Sequence, residues 1–89
     1  MTFEQLANKL IDTQKRKNAD YGSSFGQTLD EFGLVASATR MSDKFNRFKS
    51  LMHKDSNPQV QDEKIEDTLL DLAAYAIMTV EWIQKNQFA

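Results

Sequence analysis

Eighty-nine residues, 40% hydrophobic and 27% charged, describe one ordinary globular domain spanning residues 1–89, with a modest core. A net charge of −2 gives no bulk electrostatic case for binding nucleic acid or an anionic membrane, and the absence of cysteine excludes disulfides and thiolate metal sites. His53 is the single histidine, so a multi-histidine metal site is excluded; no apolar run reaches membrane-spanning length, and Met1-Thr2-Phe3-Glu4 does not read as a signal peptide, so a cytoplasmic location is expected.

With three glycines, one proline and no strand-length alternation, helical spacing dominates and the expected class is all-α. The first helix should start at Thr2, where Thr2 and Gln5 have capping-box spacing, and it presents Phe3, Leu6, Leu10 and Ile11 on one face. Lys15, Arg16 and Lys17 fall in its expected last turn, where cations suit the helix dipole; a phosphate contact is the alternative use of the same run. Asn18 to Gly26 reads as a connector containing Asp20-Tyr21-Gly22. Ser24 and Gln27 repeat the capping-box spacing, so a short helix should run to Phe32 and end at Gly33.

The next helix carries Ala38, Met41, Phe45, Phe48 and Met52 at steps of three and four, extended by Leu34, which reads as its core stripe. Arg40, Asp43, Lys44 and Arg47 share another face. His53 to Gln61 reads as a second connector. The last helix should begin between Pro58 and Asp62 and run to about Asn86, with a stripe of Ile65, Leu69, Leu72, Ala76, Val80 and Ile83. Its second half is apolar on nearly every side, which implies burial on more than one side. Three long helices and a short one do not easily provide that, so the expected bundle is completed by homodimerisation.

Glu63, Asp67 and Asp71 lie four residues apart and form a slanted line of carboxylates. Glu63 and Asp67 sit near the helix start, where negative charge is favourable. Asp71 lies among Leu69, Leu70, Leu72 and Ala73, where an unpaired carboxylate would be costly and would need a cation. Two kinds are available: a basic side chain from Arg40, Lys44 or Arg47, or a hard divalent ion such as Mg²⁺, which favours carboxylates together with substrate phosphates. Nucleophilic catalysis finds no support, and Gly22 and Gly26 do not make a phosphate loop.

Three segments in order, Lys17-Asn18-Ala19-Asp20-Tyr21-Gly22, Arg40 to Arg47, and Asp62 to Tyr75, resemble a family of small phage and bacterial proteins, the nucleotide-modification-associated domain. A more distant similarity is to the MazG-like all-α nucleoside triphosphate pyrophosphohydrolases, helical dimers or tetramers that hold Mg²⁺ on facing acidic helices and release pyrophosphate. Asp71 with Tyr75 matches the aspartate and aromatic of their last acidic motif, while the two preceding glutamates fall on Asp67 and Thr68. The other acidic helix is represented by Asp43 alone, among Arg40, Lys44 and Arg47.

The resemblance implies a nucleotide-handling domain. In it Glu63, Asp67, Asp71 and Asp43 would hold Mg²⁺, Arg40, Lys44, Arg47 and Lys17 would meet phosphates, and Asp20 and Tyr21 would shape the nucleotide pocket. If active, it would be a Mg²⁺-dependent pyrophosphohydrolase with a depleted acidic site. The alternative is a non-catalytic helical dimer, phage-encoded, acting as an interaction module in which the acidic line pairs with the basic stripe.

Overall fold

The computed structural model describes residues 1–21, 23–53 and 58–86, with the side chains of 20–21 and 58–63 left aside. Every element among these residues is a helix: α1 (Phe3–Tyr21), α2 (Ser24–Phe32), α3 (Leu34–Met52) and α4 (Pro58–Asn86). The start of α1 follows the capping box. Thr2 N–H donates to Gln5 Oε1 at 2.9 Å, and Gln5 N–H donates to Thr2 Oγ1 at 3.2 Å, so two donors left orphaned by the helix end are satisfied reciprocally.

The same helix continues about one turn into the expected connector, to Tyr21, so Lys15–Lys17 lies inside α1 rather than at its end. Nor do Ser24 and Gln27 form a second capping box: Ser23 occupies the N-cap of α2 and makes no side-chain cap bond. Gly33 ends α2 as expected. Its N–H donates to Leu29 O at 2.7 Å, and its φ of 75° with ψ of −162° is a backbone region open essentially to glycine. α3 begins at the next residue, so this single glycine makes the corner.

α3 and α4 run antiparallel and pack along much of their length: Ser37 meets Thr79, and seven residues on, Lys44 meets Asp71. The contact face of α3 is not the expected stripe. Ser37 and Leu51 are buried and Met41, Lys44 and Phe48 half-buried, whereas Ala38, Phe45 and Met52 are exposed. At 100° per residue the packed face lies roughly 60° around the helix from the most apolar one. α4 departs in the same direction. Thr68 and Thr79 are buried on the α3 side and Ala74 is buried too, while Leu69, Ala76, Ile77 and Val80 are exposed.

Small hydroxyl residues occupy these packing positions because they let the helices approach and carry their own hydrogen-bond solution. Thr68 Oγ1 donates to Lys64 O and Thr79 Oγ1 to Tyr75 O, both at 2.7 Å. Thr79 has thereby spent its proton, so the Ser37 hydroxyl donates to Thr79 Oγ1 across the interface.

α1 and α2 cover the other side of α4. Among the described residues the buried hydrophobic side chains are Leu29, Leu51 and Ala74, a small core. The molecule measures 49 × 26 × 24 Å with a radius of gyration of 14.7 Å, against about 12 Å for a compact chain of this length. No helix among the described residues is long and apolar enough to cross a membrane.

Candidate functional site

Where α1 crosses α4, Asp71 receives two ammonium groups. Lys17 of α1 donates to Oδ1 at 3.4 Å and Lys44 of α3 donates to Oδ2 at 3.2 Å. The carboxylate is half-buried, with 36% of its side chain exposed, rather than enclosed in the apolar surroundings its sequence neighbours suggest. It faces the α1 side of α4, where Leu70 lines the smaller cavity beside it. Lys44 is the member of the basic stripe that reaches Asp71, because it lies on the packed face of α3 and extends its apolar stem along α4. Arg40, Asp43 and Arg47 lie to one side of that face, are exposed, and form no ion pair among the described residues.

Two cavities flank this ion triad. The larger, about 510 Å³, is walled by α1, α2 and α4 with Lys44 at its floor. Lys17, Lys44 and Asp71 form one end. Phe25, Tyr75 and Trp82 supply aromatic surface, with the Phe25 and Tyr75 rings edge-to-face at a centroid distance of 4.9 Å. Trp82 Nε1–H donates to Asp30 Oδ1 at 2.8 Å, tying α4 to α2. Gln14 Nε2–H donates to Met78 Sδ at 3.0 Å and docks α1 beside it. The smaller cavity, about 250 Å³, is lined by Lys9, Thr13, Lys17, Asp67 and Asp71 among others.

Of the residues singled out in the sequence, Lys17, Lys44 and Asp71 therefore come together, and Asp67 is one helical turn away on the smaller cavity. Arg40, Asp43 and Arg47 line neither cavity. The side chains of Asp20, Tyr21 and Glu63 lie outside the described residues. Among those described, no group of three or more His, Asp or Glu converges to hold a metal, and both Asp71 oxygens already face ammonium groups. The described donor set does not by itself fit a Mg²⁺ ion.

Asp30, Phe25 and Trp82 carry no signal in the sequence that marks them as lining residues. Trp82 reads as core within an apolar stretch, and its partner Asp30 is 52 positions away.

Fold and site together define an all-helical protein with a charged and aromatic cleft. The chain belongs to the family described as nucleotide modification associated domain 1, whose model matches residues 17–83. No curated protein and no solved structure matches the chain.

Proposed function

We propose that the larger cleft binds a nucleotide, with its phosphates at the Lys17–Asp71–Lys44 end. The observation that carries this reading is the pairing, in one cavity, of two lysines from different helices with three aromatic side chains. Lysine ammonium groups are strong phosphate partners, and aromatic faces suit a base. The cavity volume falls in the ordinary range for small-ligand sites. The family description points to nucleotides as well.

The reaction we propose for the cleft is the one that the sequence resemblance to the MazG-like enzymes implies: water attacks between the α and β phosphates of a nucleoside triphosphate, giving a monophosphate and pyrophosphate. Because the described carboxylates do not form a metal set, Mg²⁺ is proposed as an ion accompanying the nucleotide's own phosphates. The testing experiment is calorimetry with a panel of ribo- and deoxynucleoside triphosphates, with and without Mg²⁺, beside a pyrophosphate-release assay. Binding of at least one nucleotide is expected. Absence of both binding and pyrophosphate release across the panel overturns the reading.

A second reading, a helical dimer acting as an interaction module, is favoured by the apolar surface left on α3 and α4. For an antiparallel pair, the exposed Phe45 and Met52 of α3 and the exposed Leu69 and Val80 of α4 lie on one side, away from the cleft. The chain exposes 6855 Å², whereas a compact monomer of 10.2 kDa exposes about 5,300 Å². The surplus of about 1,500 Å² is spread over the whole elongated chain, and an ordinary stable interface takes roughly 800 Å² per partner. A second copy seated on this face would complete a four-helix layer and leave the cleft open, so dimerisation and nucleotide binding are compatible. Sedimentation should give twice the 10.2 kDa chain mass, reduced to one chain by Val80→Asp. A monomer at high micromolar concentration refutes the dimer.

A further inference from the structure

The end of the cleft away from Lys17 and Lys44 has its own chemistry, and it includes Glu81 and Lys85, which pair with each other at 3.8 Å. From Asp71 to Trp82 along α4 is eleven residues, an axial rise of about 16 Å. Trp82 and Asp30 stand at that far end, and their hydrogen bond fixes both side chains: the indole N–H takes Oδ1 of the carboxylate. A carboxylate accepts hydrogen bonds and donates none, so one oxygen is committed and the other remains an acceptor. The Asp30 carboxylate forms no ion pair among the described residues.

Resting on the nucleotide reading above, we propose that Asp30 is a specificity-determining residue that reads an exocyclic amino group of the base, so that the cleft selects cytosine- or adenine-type nucleotides over uracil-, thymine- or hypoxanthine-type ones. With phosphates at Lys17 and Lys44, the base reaches toward Trp82, whose indole offers a stacking face. The free Asp30 oxygen then faces the base edge. An amino group donates to it, as in the recognition of the cytosine amino group by acidic side chains. A carbonyl at the same position sets oxygen lone pairs against a negative charge. Asp30 is exposed, so the discrimination comes from the hydrogen bond gained with an amino group and the repulsion met by a carbonyl, not from a buried group left unpaired.

Two matched ligand pairs test this edge, CTP against UTP and ATP against ITP, each exchanging the amino group for a carbonyl and the adjacent ring acceptor for an N–H donor. Trp82 is the single tryptophan, so its fluorescence reports occupancy of this end directly, and calorimetry reports binding at either end. In the wild-type chain the amino-bearing member should bind roughly tenfold or more tightly, the scale of one hydrogen bond to a charged group.

Asp30→Asn is the decisive variant. Its amide oxygen can still accept from Trp82, while its NH₂ replaces the free acceptor with a donor, so the preference should reverse toward the carbonyl-bearing member. Asp30→Ala should abolish the preference without reversing it. Equal affinity within both pairs, or a ratio unmoved by Asp30→Asn, overturns the inference while leaving the phosphate reading intact if nucleotides and inorganic tripolyphosphate still compete. Failure of nucleotides and tripolyphosphate alike to bind overturns the proposed function, and this inference with it.

Discussion

Replacing Asp71 by Asn separates a structural from a functional role for the ion triad. The side chains of Lys17, Asp71 and Lys44 are 51%, 36% and 30% exposed, so both ion pairs are well screened by solvent. Pairs of this kind are each worth about 0.2–1 kcal/mol, and the asparagine oxygen retains part of the hydrogen bonding. The variant should therefore lose about 1 kcal/mol, a drop in melting temperature of about 4–8 °C for a chain of this size. Most of that difference should vanish in 1 M salt, where the screening length is about 3 Å. Pyrophosphate release, if the proposed reaction holds, should fall far more than stability does, because the carboxylate that positions Lys17 and Lys44 against the phosphates is gone. The assays are a thermal melt at two salt concentrations and pyrophosphate release on the folded variant. A stability loss above about 3 kcal/mol would mark Asp71 as a buried charge partner and refute the half-exposed reading. Unchanged turnover would refute its role in the cleft.

Two further substitutions test how the helices are held. Gly33→Ala meets open space but must adopt a positive φ, so it should cost about 1–3 kcal/mol through the backbone alone; a neutral melt would mean the α2–α3 corner is built differently. Ser37→Ala and Thr79→Val should each destabilise by about 1 kcal/mol, Thr79→Val by more because it leaves a buried hydroxyl without its acceptor. The double variant should recover most of the loss, and strictly additive losses would show that the two hydroxyls are not partners.

Much of this architecture was legible from local chemistry. The bounds of α4, the capping box at Thr2, the corner at Gly33 and the all-helical class depend on neighbours within a few residues, where propensity, capping and φ restrictions act. The extra turn of α1 is not legible because Asp20-Tyr21-Gly22 resembles a turn, yet the helix persists to Tyr21. The cleft was legible in part. Asp71 stands out as a charge in an apolar run and Lys44 is among the three basic residues that can pair with it, but the sequence ties Lys17 only to the helix dipole or a phosphate, reads Trp82 as core, and gives Asp30 no role.

The amino-acid sequence by itself determined the start of α1, the corner at Gly33 and the bounds of α4, because those decisions are made by short-range hydrogen bonds and backbone sterics. Which face each helix buries was decided only by the tertiary structure. Hydrophobicity points to Ala38–Phe45–Met52 and Leu69–Ala76–Val80, yet the helices meet through Ser37, Thr68 and Thr79, residues small enough for close approach and able to satisfy their hydroxyls on the helix backbone or on each other. That rotation turns Lys44 toward Asp71, leaves an apolar face on the opposite side, and brings residues 52 positions apart to the same end of one cleft. Pairing at that range depends on how helices dock as rigid bodies, which no local pattern of residues encodes.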